Sequence, residues 1–134
     1  MSLRDPRAVE WEGRLKEVFD RIDDHLEDRY GGRYPLRPVR ARRGETANRE
    51  DDGLFDIGAS FTAGFGSVAG RGYVIEVRMA TLSRVPPDVL EEIEEEVVLR
   101  LREELPRAFP GRKLEVVRDG PVYKISGDLS LGTA

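Results

Sequence analysis

From residue 55 the chain alternates with a period of two. Phe55, Ile57, Ala59, Phe61, Ala63 and Phe65 share one parity, and Asp56, Gly58, Ser60 and Thr62 the other. Successive side chains of a strand point to opposite faces, so this pattern calls for a strand with one buried and one wet face. The alternation returns at 73–79, where Tyr73, Ile75, Val77 and Met79 oppose Glu76 and Arg78. Between the two runs lies 64-GFGSVAGRGYV-74. Two amphipathic strands joined by turn chemistry predict an antiparallel hairpin.

The flanking segments switch to a helical period. In 5–29, Trp11, Leu15, Val18, Phe19, Ile22 and Leu26 recur three and four apart, behind an Asp5 cap and a Pro6 at the first helical position. Gly31 and Gly32 end that helix. A second helix over 87–105 carries a stripe of Leu90, Ile93, Val97, Leu101 and Leu105, with Pro106 expected to stop it. Asp119-Gly120 between 114-LEVVR-118 and 122-VYKIS-126 predicts a second hairpin. Pro35 and Pro38 forbid a helix across 30–53, where 34–42 is a candidate edge strand and 44–53 reads as a mobile polar loop.

The expected order is α-(β)-β-β-α-β-β. That is neither alternating βαβ nor all-β, so the predicted class is α+β. The expected architecture is a two-layer sandwich, with two helices on one face of an antiparallel sheet of four or five strands. A length of 134 residues suits a single domain over 1–134.

The glycine stretch resembles a phosphate loop only at first sight. Gly64, Gly66 and Gly70 give G-x-G-x-x-x-G, one residue longer than a dinucleotide fingerprint, and a strand follows where that motif needs a helix. Arg71 and Gly72 stand where a P-loop needs Lys-Ser/Thr. The glycines therefore read as a wide hairpin loop.

Other chemistry is sparse. There is no cysteine, and the single histidine, His25, could share a metal with Asp28 one turn on, as could Asp24 with Asp28. A metal site needs more ligands than that, so no metal and no cofactor are expected. Ser60, Ser67 and Ser126 lie in no nucleophile motif, so no catalytic residue is assigned. The run 91-EEIEEE-96 reads as a solvated helix face, because Ile93 must face the core.

Two features point to binding. Arg29, Arg33, Arg37, Arg40, Arg42 and Arg43 form a basic segment with Tyr30 and Tyr34 interleaved. Arginine forks match phosphates and carboxylates, which makes Arg33, Arg37, Arg40, Arg42 and Arg43 candidate partner contacts. The polar sheet face offers Asp56, Glu76 and Arg78 as the second candidate surface. Residues 88–104 carry eight acids against two arginines, so the charge is segregated.

With a net charge of −4, 39% apolar and 36% charged residues, the chain reads as globular and acidic. It has no apolar run of spanning length and no signal-peptide pattern, so no membrane is expected and the predicted location is cytoplasmic. In layout, the element order, small size and acidic charge are similar to the α/β chaperones of bacterial type III secretion, although no helix is expected after 126, where those chaperones have one. The resemblance implies a protein partner. The leading expectation is thus a non-enzymatic binding or adaptor domain that self-associates or binds a protein. The alternatives are a nucleic-acid-binding protein using 29–43, and an enzyme with Asp56 and Glu76 as an acid/base pair.

Overall fold

The computed structural model describes residues 5–64 and 70–129. Its elements run α1 (Pro6–Tyr30), a 3-10 turn (Arg49–Asp51), β1 (Phe55–Thr62), β2 (Gly72–Met79), α2 (Pro87–Ala108), β3 (Leu114–Asp119) and β4 (Val122–Gly127). The class is α+β, with four antiparallel strands in the order β1-β2-β4-β3. Phe65, Gly66 and Ser67 fall outside the described residues.

α1 starts as its sequence requires. The Asp5 carboxylate accepts from the Arg7 N–H at 2.8 Å, and Pro6 fills a position whose amide needs no partner. The stripe from Trp11 to Leu26 is buried, and Tyr30 extends it. On α2 the buried face is Ile93, Val97, Val98, Leu101 and Leu105, while Leu90 lies at the exposed end. The two stripes meet Phe55, Ile57, Val116 and Ile125 of the sheet in one core. Each such side chain contributes about 1.5–3 kcal/mol by leaving water.

Pro106 does not stop α2, which continues to Ala108. Proline removes one donor and leaves the Arg102 carbonyl without its i+4 partner, a loss of a single bond close to the helix end. Phe109, buried against Trp11 with ring centroids 4.2 Å apart, holds that extra turn on the core.

The segment 34–42 is not a fifth strand. It forms a tight turn, with the Arg40 N–H donating to the Arg37 carbonyl, and touches sheet-like geometry only at the Ala41–Asp52 bridge. The region 44–53 is not a bare polar loop either. It is wound around Asp52, 1% exposed, whose carboxylate accepts from the Gly44 and Thr46 amides and the Thr46 hydroxyl.

The β1–β2 hairpin is fully paired, from Phe55 opposite Met79 to Thr62 opposite Gly72. β2 and β4 meet only at Tyr73–Ile125 and Val74–Lys124. Gly72 explains the position of that seam, because a Cβ there would strike the Ile125 carbonyl and the Lys124 side chain. The sheet is therefore two hairpins joined at a short seam, with β1 and β3 as its edges.

Candidate functional site

The basic segment folds back on its own chain. Arg29 reaches Glu92 and Glu96 of α2, Arg42 pairs with Glu45, and Arg43 with Asp24 and Asp28. Arg40 turns inward and donates to the carbonyls of Gly53, Glu50, Asp52 and Phe55 at 2.7–3.2 Å. Arg33 lies over the Tyr30 ring at 4.9 Å, and Arg37 is exposed. Of the five candidates, Arg33, Arg37 and Arg40 thus have no carboxylate partner among the described residues, and Arg40 is held by carbonyls instead. Of the arginines in this segment only Arg29 reaches the acidic helix α2.

The second candidate surface does assemble. Arg78 sits 2.8 Å from Glu76 and 3.7 Å from Asp56 on the face of the sheet away from the helices. Ser60 reaches Glu76 at 3.4 Å, and the space above Gly58 is open. One cation between two partly exposed carboxylates is a surface ion cluster. Lys124 shares this face but is only 2% exposed, because its ammonium donates to Asp119 at 2.6 Å and to the Gly70 carbonyl at 2.8 Å.

Three acids of the helices, Asp23, Glu27 and Glu96, are partly or fully buried. Glu96, which the sequence placed on a solvated face, lies at the seam between helices and meets His25 at 2.7 Å, Arg29 at 3.1 Å and Arg100 at 3.5 Å. Burial works to raise its pKa, but the His25 hydrogen bond and the Arg29 charge outweigh that and lower it. Asp23 is 2% exposed with Oδ1 lacking a partner, and burial together with the charges of Glu27, Asp24, Asp20 and Asp52 pushes its carboxyl up to about 8. Burial raises Glu27 as well, against the opposing pull of hydrogen bonds from the Phe55 and Leu54 amides. Among the described residues no three acids or histidines are placed to hold a metal ion, and no helix is long and apolar enough to cross a membrane.

Among the described residues a concavity opens between α1 and the edge strand β1 and continues round that edge to Asp56, Glu76 and Arg78. It encloses about 550 Å³. Leu15 and Phe19 of α1 face Ile57, Ala59 and Phe61 of β1, with Tyr73 behind. Phe61 is 58% exposed and makes an edge-on contact with Tyr73, ring centroids 5.6 Å apart. Glu12, Lys16, Asp20 and Glu50 form the rim. The sequence showed each of these residues as core or surface but not as a groove, because the groove exists only where α1 stops short of covering the edge of β1.

The chain matches, over residues 6–127, the model of a family described as "Uncharacterised protein", and it belongs to that family. The matched span begins at the first residue of α1 and ends at the last residue of β4, so it covers every element of the fold. An "Uncharacterized protein" of Borreliella burgdorferi (strain ATCC 35210 / DSM 4680 / CIP 102532 / B31) is 39% identical over 118 residues, which is 88% of this chain and 92% of the relative. No solved structure matches the chain.

Proposed function

We propose that this member of the family is a non-enzymatic protein-binding domain of the cytoplasm that holds a polypeptide partner in the groove between α1 and β1. The observation that carries the reading is the groove itself: apolar side chains bordered by charged ones, with a large exposed aromatic, Phe61, running beside a sheet edge. Peptide-binding domains commonly add an extended segment to such an edge, taking affinity from the main chain and specificity from side-chain pockets. The cytoplasmic placement rests on composition, since a chain without cysteine suits a reducing compartment.

The reading is tested by selecting from a random peptide-display library on the immobilised chain and measuring resynthesised peptides in solution. Selected peptides should bind saturably, and Phe61→Ser should weaken them. A library that yields no binder in solution would sink the proposal. Light scattering at two salt concentrations tests self-association separately; a monomer throughout would remove it.

A further inference from the structure

The backbone of β1 shows which of its groups are open. The Phe55 N–H donates to Glu27 at 3.0 Å, and its carbonyl accepts from Arg40 at 3.2 Å. Both groups therefore point away from β2. In an antiparallel pair, residues alternate between bonding across the ladder and facing outward. Ile57, Ala59 and Phe61 share the parity of Phe55, so they too present N–H and C=O outward. The carbonyl of Leu54, on the opposite parity, agrees by accepting from Ala80 on the β2 side, while its N–H, just ahead of the strand, turns to Glu27. Glu27 and Arg40 thus cap the first residue of this edge. Beyond them, among the described residues, no hydrogen bond reaches the outward backbone groups of Ile57, Ala59 and Phe61.

The charge around that edge is one-sided. Five carboxylates line the groove, from Glu12, Asp20, Glu50, Asp56 and Glu76, against Lys16 and Arg78. Both cations are already held, Lys16 by Asp20 and Glu50, and Arg78 by Glu76 and Asp56. An acidic groove disfavours nucleic acid. It equally disfavours a second copy paired β1 to β1, because a two-fold interface sets each acidic rim against its twin.

We infer that the β1 edge takes a basic, extended peptide segment of a partner protein as a fifth strand over Ile57–Phe61, with apolar side chains entering the groove beside Leu15 and Phe19 and arginines or lysines meeting the acidic rim. This rests on the protein-binding reading and specifies its ligand. The open groups offer up to about six main-chain hydrogen bonds, and contacts to alternate side chains of the added strand complete the recognition.

The test uses the full chain and two labelled eight-residue peptides, one alternating Val with Arg and one alternating Val with Glu, followed by fluorescence anisotropy and amide mapping by NMR. The Arg peptide should bind at low salt, weaken as salt rises, and protect the amides of Ile57, Ala59 and Phe61. The Glu peptide should bind at least about tenfold more weakly, the direction that charge complementarity sets. Ala59→Pro deletes an outward N–H that the sheet does not use, so the variant should fold and lose the peptide. The double variant Asp20→Asn/Glu50→Gln, which leaves the edge intact, should erase the preference for Arg. Equal binding of both peptides, protection away from β1, or a peptide-free dimer through β1 each overturns the inference. If library-selected peptides bind yet lack basic residues, this inference fails while the broader protein-binding reading stands.

Discussion

Asp23→Asn should stabilise the protein, and by an amount that grows with pH. Asp23 is buried on α1 with an unpartnered oxygen, and its carboxyl is raised from 3.8 to about 8. Between those two values the folded state keeps a proton that the unfolded chain has released. Stability from this group is therefore complete below about pH 4, falls as pH rises to about 8, and is flat above. At about 1.4 kcal/mol per unit, the full shift is worth nearly 6 kcal/mol, which is an upper bound because water and side chains relax around a buried charge. The asparagine has the same shape and no proton to lose. Urea unfolding followed by the single Trp11 at pH 5 and pH 8 reads the effect. The gap between variant and wild type should widen by about 2–3 kcal/mol over that range. Glu27 titrates in the same direction but is present in both proteins, so the difference isolates Asp23. A constant gap, or a variant less stable at pH 8 than wild type, would refute the assignment of a neutral Asp23.

Three further outcomes follow from single side chains. Val39 is fully exposed at φ 61°, a β-branched residue in the left-handed region, so Val39→Gly should raise stability by about 0.5–1 kcal/mol in a thermal melt; no gain would mean the turn carries no strain. Arg40→Ala strands four carbonyls and should cost about 2–3 kcal/mol in urea, and Arg40→Lys should recover little, since an ammonium cannot reproduce the fork. Gly64→Ala should cost about 1–3 kcal/mol, because φ is 77° and the new Cβ would overlap the Gly70 carbonyl, whereas Gly58→Ala, with open space around it, should fold as wild type. A Gly64 variant as stable as the Gly58 control would refute the close approach of Gly64 to the Gly70 backbone.

The elements were legible in the sequence because their signals are local. Alternation from Phe55, the stripe on α1 and Asp119-Gly120 each declare themselves within a dozen residues. Sheet order is a different kind of fact. Asp119-Gly120 makes β3 and β4 neighbours, but nothing nearby says which of them meets β2, or that β1 is left at an edge. Gly72 held part of that answer, since a glycine just ahead of an alternating run marks a close approach of backbone. The arginine segment shows the same limit of local signals. Charges adjacent in sequence suggested a shared external partner, yet Arg29, Arg42 and Arg43 find separate acids in the fold, and Arg40 finds carbonyls.

Asp23 and Glu27 were visible as acids one and two turns beyond Phe19, on the buried stripe. What the sequence could not supply was their distant counterpart. An exposed sheet edge invites unwanted pairing, and proteins blunt it with charge or by capping its polar groups. Here Glu27 crosses from α1 to take the amides of Leu54 and Phe55, and Arg40 takes the Phe55 carbonyl, so the edge is closed at its first residue. Holding Glu27 there requires a carboxylate inside the core, next to Asp23, whose own ionisation it opposes. The raised Asp23 and the restricted length of the open edge are therefore consequences of one arrangement. Closing Phe55 confines any added strand to Ile57–Phe61, beside Phe61 and the acidic rim, where sequence-selective side-chain contacts are available.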